Sequence, residues 1–342
     1  MKIAIVGTTG MVGRTLLKVL EEEKIEADYY LFASAKSAGT KINMFGNELT
    51  VLELTKANAE KVKPDFALFA ADEGAITLEF VPFFAKTGCI VIDNSSIFRQ
   101  VPSVPLVVPE CNATDLITYN SNIIANPNCS TICAVVPLKP LDDAFEIKRI
   151  VYSTYQAVSG AGQLGLNDYI EGVKNAEIIE GKISVKKYEL RKFDYPIFNN
   201  IIPHIDVFLD NGNTKEEEKM INETRKILHH PNLSISSTAV RVPVENCHCV
   251  SINVEFTKNI DIALVKNILQ KSPGVILYDD PTNNIYPMPI TANGKNEVYV
   301  GRVRLDNNHP NTINMFAVSD NIRKGAAVNA VQILKLCLCK KY

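Results

Sequence analysis

The first thirteen residues constrain the fold more than any other stretch. Lys2-Ile3-Ala4-Ile5-Val6 reads as a short buried strand, and Gly7-Thr8-Thr9-Gly10-Met11-Val12-Gly13 comes at once after it. An amphipathic helix then carries Leu16, Leu17, Val19 and Leu20 on one side. Strand, glycine turn and helix in that order open a dinucleotide-binding βαβ unit. The glycines let the backbone turn sharply and approach a pyrophosphate, which rests on the helix N-terminus. The Gly-x-x-Gly-x-x-Gly spacing departs from the commonest fingerprint, so its place at the end of a first strand carries the reading.

A second strand, Tyr29–Ala33, runs into Ser34-Ala35-Lys36-Ser37-Ala38-Gly39. NAD-binding units place an acidic residue near this point to hold the ribose 2′-hydroxyl. Here the acid, Asp28, is at the opposite end of the strand. Ser34, Lys36 and Ser37 instead offer donors and a positive charge suited to a 2′-phosphate, so NADP is the expected cofactor. Strands at Phe66–Ala70 and Cys89–Asp93, with a helical Ala75–Phe84 between them, predict a doubly wound parallel sheet. The second ends in Asp93-Asn94-Ser95-Ser96-Ile97-Phe98-Arg99, at the carboxyl edge where such sheets bind ligands. Arg99 is there either a surface charge or a planar fork for a phosphate.

At 342 residues the chain has room for two domains. A net charge of -2 and the lack of a long basic run argue against nucleic acid and anionic membrane, leaving small molecules. No uninterrupted apolar run is long enough to span a bilayer. The chain enters directly as a strand with no secretory signal, so a cytoplasmic location is expected. Eight cysteines lie scattered without a Cys-x-x-Cys unit, which reads as reduced thiols. Cys247-His248-Cys249 reads as strand, with neighbouring side chains on opposite faces, so no metal site is expected.

Asn126-Pro127-Asn128-Cys129-Ser130-Thr131 is the stretch with the most chemistry. Ile123-Ile124-Ala125 precedes it as a strand, and Ile132–Leu138 comes after it as a buried helix, with Ser130 or Thr131 able to cap it. A thiol at such a hinge feels the positive end of the peptide dipoles, which favours thiolate, the attacking form. The same N–H groups stabilise an oxyanion on an attacked carbonyl. A cysteine among small polar residues is ordinarily just a packed thiol, so the rest of the chain has to supply its partners.

Lys148–Tyr155 alternates as a half-buried strand and leads to Gln156-Ala157-Val158-Ser159-Gly160, where Gln156 offers both a donor and an acceptor. Next come a helix over roughly 165–180 and a charged irregular stretch to Phe193. Thr214-Lys215-Glu216-Glu217 forms a capping box opening a helix through Leu228, on which Glu216 and Lys219 share a face. Arg241 is suited to bidentate carboxylate binding. His248, on the strand running to Phe256, is a candidate proton acceptor for the Cys129 thiol. Ser319-Asp320-Asn321 caps a final helix, Ile322–Leu336, whose Ala326, Ala327 and Ala330 allow close packing on the first domain.

Over its whole length the sequence resembles the aspartate-β-semialdehyde dehydrogenases. The motifs that carry the resemblance are Gly7–Gly13, Ser95–Arg99, Asn126–Thr131, Tyr155–Gly162, Glu216–Lys219, Arg241–His248 and Asp320–Ala327, all in family order. The resemblance implies a Rossmann-type NADP-binding domain over 1–128, completed by a C-terminal helix over 320–342. It implies an α+β catalytic and dimerisation domain with a mixed sheet over 129–319. By the same resemblance Cys129 is the nucleophile, His248 the acid/base and Gln156 the residue that positions the acyl group. The resemblance also implies that Arg241 binds the substrate carboxylate, Glu216 its amino group, and Arg99 and Lys219 the phosphate, with Asn128 also on the substrate. It further implies that Gly7, Thr8, Thr9, Gly10, Met11, Val12, Ser34, Lys36, Ser37, Ala38, Ser159, Gly160 and Asn321 bind NADP.

The implied reaction is the NADPH-dependent conversion of β-aspartyl phosphate to aspartate semialdehyde and phosphate, in biosynthesis of lysine, threonine and methionine. A homodimer is expected, with a tetramer as the alternative. Two rival readings are an N-acetyl-γ-glutamyl-phosphate reductase, which lacks a free substrate amine, and a non-catalytic NADP-binding sensor. Departures from the family are a threonine second in the glycine turn, Lys36 where arginine is common, and cysteines on both sides of His248. Those extra thiols raise the expectation of reactivity toward alkylating agents.

Overall fold

The computed structural model describes residues 1–71 and 74–340, so the last two positions of the expected helix 320–342 lie outside the described residues. The chain divides into two compact units. The first comprises Met1–Asn128, Lys226–His229 and the chain from Arg323 onward, and the second Cys129–Arg225 and His230–Ile322.

In the first unit the chain runs β1 (Lys2–Val6), α1 (Met11–Glu22), β2 (Asp28–Ala33), β3 (Leu52–Glu53), β4 (Phe66–Phe69), α2 (Ala75–Lys86), β5 (Ile90–Asp93) and β6 (Ile123–Ala125). The strands pair in the order β3-β2-β1-β4-β5-β6, all parallel. This is the order of a doubly wound nucleotide-binding sheet, with its crossover at β1 and β4. Strand residues alternate between faces. Ile3 and Ile5 pack with Leu16 and Leu20 of α1 and with Val331 and Leu334 of the last helix (Asn329–Lys340). Ala4 and Val6 pack on the other side with Phe80, Val81 and Phe84. Both faces are thus covered, as a parallel sheet requires. The last helix is preceded by a π-helical turn, Arg323–Val328, where the sequence pattern predicted regular helix from Ile322.

The second unit holds α3 (Cys129–Phe145), β7 (Ile147–Gln156), α4 (Gly162–Lys174), α5 (Lys215–Ile227), β8 (Ser234–Arg241), β9 (His248–Phe256), β10 (Val275–Leu277), β11 (Val298–Leu305) and β12 (Thr312–Ser319). Its sheet runs β8-β7-β9-β12-β11-β10. It is mixed, since β8 and β7 are parallel whereas β9 is antiparallel to both β7 and β12. The capping box forms as the sequence indicates. Thr214 N–H donates to Glu217 Oε2 at 2.7 Å, and Glu217 N–H donates to Thr214 Oγ1 at 3.3 Å.

Three local expectations change. The helix expected over 165–180 stops at Lys174, and the irregular stretch after it contains a hairpin, Ala176–Ile179 against Lys182–Val185. The helix after the Asn-Pro turn begins at Cys129 itself, so Ser130 and Thr131 lie in its first turn rather than at its cap. Cys247 is outside the strand, with a left-handed φ of 76°. The face-alternation argument therefore does not apply to it. Among the described residues, no group of three or more His, Cys, Asp or Glu side chains is placed to hold a metal. Nor is any described helix long and apolar enough to cross a membrane.

Candidate active site

The parallel pairing of β7 and β8 puts Gln156 and Arg241 side by side at the ends of their strands. On the other side of β7, the antiparallel β9 begins with His248, one residue before the Cys249–Tyr155 pair. The start of α3 lies against this point, because Cys133 Sγ, one turn beyond Cys129, is 3.8 Å from the His248 carbonyl. Two strand ends, a strand start and a helix start thus converge within one unit.

One backbone residue holds two of these side chains. Ala157 N–H donates to His248 Nδ1 at 3.0 Å, and its carbonyl accepts from Arg241 Nη1 at 2.7 Å. With Nδ1 accepting, the neutral imidazole carries its proton on Nε2. His248 Nε2 is buried with no hydrogen-bond partner among the described residues. A buried polar atom left open in this way marks a place for a reacting group. Burial and then the charge of Arg241 hold the His248 ring well below the ordinary imidazole range, so it is neutral at pH 7. Direct removal of the Cys129 proton by Nε2 would need the opposite tautomer, which the Ala157 N–H disfavours. The arrangement suits a donor aimed at a developing oxyanion.

Arg241 is buried, and desolvation lowers its pKa, opposed by the charges of Glu216 and Cys129. Cys129, at the start of α3, therefore lies within electrostatic reach of the Arg241 guanidinium. Gln156 accepts from Thr154 Oγ1 at 3.0 Å and donates to Glu216 Oε1 at 3.1 Å, so its amide is fixed at both ends. Lys219 Nζ lies 2.8 Å from Asp206 Oδ2 and 3.3 Å from Glu216 Oε2. The Glu216–Lys219 pair is therefore part-buried, not the solvated contact usual on a helix surface. Asp206 had no signal in the sequence. Burial pushes its carboxyl up, but Lys219 outweighs that and holds it below the usual range.

Gly160 permits the close packing here. A Cβ on it would lie 2.8 Å from His248 Cε1 and 2.9 Å from both His248 Nε2 and Arg241 Nη1. Gly160→Ala is therefore expected to lower kcat/KM by about ten- to a hundredfold, by displacing the His248 and Arg241 side chains at once. Steady-state rates on the folded variant decide the point, and an unchanged kcat/KM would show that the site accommodates the methyl group.

Ser159 and Asn321 are buried against each other. Asn321 Nδ2 donates to Ser159 Oγ at 3.0 Å, and Asn321 Oδ1 accepts from Cys247 N–H at 2.9 Å. They thereby fix the left-handed turn that leads into His248. Cys247, Cys249 and Cys133 are all buried. Burial pushes the Cys133 and Cys249 thiols up to about 12, and Cys247 also rises. Burial and protonation of these three thiols both oppose the expected extra reactivity toward alkylating agents.

In the first unit, Gly7 has φ 84°, and a Cβ there would meet Ala70 backbone at 2.8 Å. Gly10 precedes α1 and supplies no side-chain cap, so no side chain at that position competes with an anion for the first N–H groups of the helix, those of Met11 and Val12 among them. Thr8 Oγ1 donates to Phe32 O at 3.1 Å, tying the turn to the end of β2. Thr9 Oγ1 reaches Ser37 Oγ at 3.4 Å. Ser37 closes a short 3-10 turn, Ala35–Ser37, with Ala38 next in the chain and Ser34 and Lys36 exposed. Asp28 is at the far end of β2, opposite Lys2. Arg14, which gave no clear signal in the sequence, donates to Thr9 O at 2.6 Å and adds a cation beside the glycine turn. These groups fit a nicotinamide dinucleotide. Arg99 is buried, its Nε donating to Asn126 O at 2.9 Å and Nη2 to Asn94 O at 2.7 Å. Asn128 is also buried.

Sequence comparison places residues 2–119 in the family described as "Semialdehyde dehydrogenase, NAD binding domain" and residues 138–324 in "Semialdehyde dehydrogenase, dimerisation domain". With the sheet order and the clustered thiol site, these matches define the class as a two-domain, nicotinamide-dependent oxidoreductase. The aspartate-semialdehyde dehydrogenase of Aquifex aeolicus is 50% identical over 337 residues, covering 98% of this chain and 97% of that protein. That of Campylobacter jejuni is 48% identical over 335 residues, covering 97% and 96%. The crystal structure of aspartate semialdehyde dehydrogenase II from Vibrio cholerae superposes with a TM-score of 0.91 at 40% identity, covering 100% of this chain and 99% of that one. The chain belongs to the aspartate-semialdehyde dehydrogenase family.

Proposed function

We propose that this protein converts β-aspartyl phosphate to L-aspartate 4-semialdehyde with NADPH, through a thioacyl group on Cys129. The convergence of Cys129, Arg241, Glu216, Gln156 and His248 within one unit carries this reading. The buried Arg241 feels the opposite charge of Glu216. That pairing matches an α-amino acid, whose carboxylate meets the guanidinium and whose ammonium meets the carboxylate.

Cys129 Sγ attacks the acyl carbon, the carbon–oxygen bond to phosphate breaks, and phosphate leaves with the electron pair. When bound, NADPH supplies the hydride. A thioester carbon, unlike a free carboxylate, would be open to that hydride, and His248 Nε2–H would hold the oxygen that becomes negative. The carbon–sulfur bond then breaks, and the aldehyde leaves as the thiolate is restored. An N-acetylated substrate would bring an amide, not an ammonium, to Glu216. Initial rates with aspartate semialdehyde and with N-acetylglutamate semialdehyde, each with NADP and phosphate, test the choice. Faster turnover of the acetylated compound would overturn it.

Arg99 and Lys219 are assigned to the phosphate. In the reverse direction, Arg99→Ala is expected to raise the phosphate KM by about tenfold or more, the scale of a lost charged contact. Lys219→Ala should do less harm, because its ammonium is already shared by Asp206 and Glu216. A phosphate titration at saturating NADP and semialdehyde measures both, and unchanged KM values would return the two residues to structural roles.

The cofactor is NADP by the charge of the Ser34–Ser37 turn. Lys36→Glu is expected to weaken or reverse the preference for NADP over NAD by repelling the 2′-phosphate. Equal kcat/KM for both cofactors in the unmodified enzyme would remove the basis for this. The working form is a homodimer. Support comes from the matched dimerisation domain and from the sheet face of the second unit, where Tyr155, Ser251, Asn253 and Phe316 are only part-covered or exposed.

A further inference from the structure

The phosphate-binding assignment of Arg99 points to a residue far along the chain. The Arg99 guanidinium is held by the carbonyls of Asn94 and Asn126, which lie just past β5 and β6. The side chains of those same two residues are joined, since Asn126 Nδ2 donates to Asn94 Oδ1 at 2.9 Å. Asn94 Nδ2 in turn donates to Phe69 O, the end of β4, at 2.6 Å. At the other end, Asn329 Nδ2 donates to Asn126 Oδ1 at 2.7 Å and to Val107 O at 2.9 Å. Each amide has its orientation set by the next, so the chain runs in one direction from Asn329 to Phe69.

We propose that Asn329 is a positioning residue for Arg99, acting through the amide relay Asn329–Asn126–Asn94. The proposal rests on the reading of Arg99 as a phosphate ligand. Asn329 is fully buried and cannot touch substrate. It opens the last helix directly after the π-helical turn Arg323–Val328. Such a turn inserts a residue, which rotates the helix beyond it by roughly 100° relative to a regular one. Ala326, within that turn, supplies a second acceptor for Asn126 Nδ2 at 3.4 Å. Asn329 Oδ1, by contrast, has no hydrogen-bond partner among the described residues. A buried polar atom left unsatisfied beside two well-made donors is tolerated where the donors are needed. Without Asn329, Asn126 Oδ1 loses its donor, and the side chain that bridges the two carbonyl-bearing residues is held through Nδ2 alone, which loosens the aim of the guanidinium.

The test is a phosphate titration in the direction of semialdehyde oxidation, on full-length wild type, Asn329→Ala, Arg99→Ala and the double variant. Asn329→Ala is expected to raise the phosphate KM about three- to tenfold, the scale of one lost hydrogen bond, with the semialdehyde KM and NADP affinity within about twofold. In the Arg99→Ala background the same change should move the phosphate KM by less than about twofold, because the group it positions is gone. Equal effects in both backgrounds, or an unchanged phosphate KM in folded Asn329→Ala, would overturn the relay while leaving the Arg99 assignment intact. If Arg99→Ala alone leaves the phosphate KM unchanged, the assignment beneath the relay fails, and the relay with it. Should Asn329→Ala not fold, Asn329→Asp keeps the volume while removing the donors, and the same comparison applies to it.

Discussion

Cys129→Ala is expected to lower turnover by about 10⁴-fold or more, as loss of a covalent nucleophile does. NADP affinity should stay within about twofold. The two readouts separate because the thiol opens a helix of the second unit, whereas the glycine turn and the Ser34–Ser37 segment belong to the first. Removing one sulfur from a half-buried position leaves the helix packing through Ile132, Val135 and Val136 untouched. A stopped-flow or steady-state assay measures the rate, and cofactor fluorescence titration measures binding. A variant that kept more than a hundredth of wild-type turnover would show that no covalent step on this sulfur is required.

His248→Asn should cost about 10²–10⁴ in kcat, the range for losing an oxyanion donor or a proton-transfer group. The shorter amide cannot reach from the start of β9 to the position of Nε2, while its Oδ1 can still accept from the Ala157 N–H in place of Nδ1. A loss of less than about tenfold would remove the ring from the chemistry. The depressed His248 pKa also makes a statement about stability. At pH values below the ordinary imidazole value of 6.5, the unfolded chain takes up a proton that the folded ring refuses. This contribution is therefore complete above about pH 6.5 and is lost as pH falls below it. The melting temperature of the wild type should drop between pH 7.5 and about pH 5.5 more steeply than that of His248→Gln, which has no such proton to bind. Parallel curves would show that the ring is free to protonate in the folded state.

What the sequence disclosed was local. The Gly7–Gly13 turn and the Thr214–Glu217 capping box are decided by neighbours within a few residues, and both form as expected. The alternation of strands and helices likewise marks the parallel sheet. What stayed hidden depends on residues far apart. Nothing about Asp206 alone marks it as the partner of Lys219, because the pairing depends on a loop folding back onto α5. The anchoring of His248 and Arg241 runs through the backbone of Ala157, a residue whose side chain gives no signal. Cys247 reads as a strand residue from its place just before the alternating Val250–Phe256, yet Asn321, 74 positions away, holds it in a left-handed turn. The hairpin of 176–185 has a local signal in Ile178, Ile179, Ile183 and Val185 around Glu180-Gly181, which a helical pattern extended to residue 180 overrides. The π turn before Asn329 has no local sequence mark, since alanines and glycine suit either helix type.

The covalent step is tested most directly by intact-mass spectrometry of the enzyme mixed with aspartate semialdehyde and NADP in the absence of phosphate. Without the second nucleophile the thioester should accumulate, as one acyl group per chain mapped to the peptide that contains Cys129. Adding phosphate should discharge it. Absence of any adduct under conditions where phosphate restores turnover, or an adduct on another of the eight cysteines, would contradict a thioacyl intermediate on Cys129.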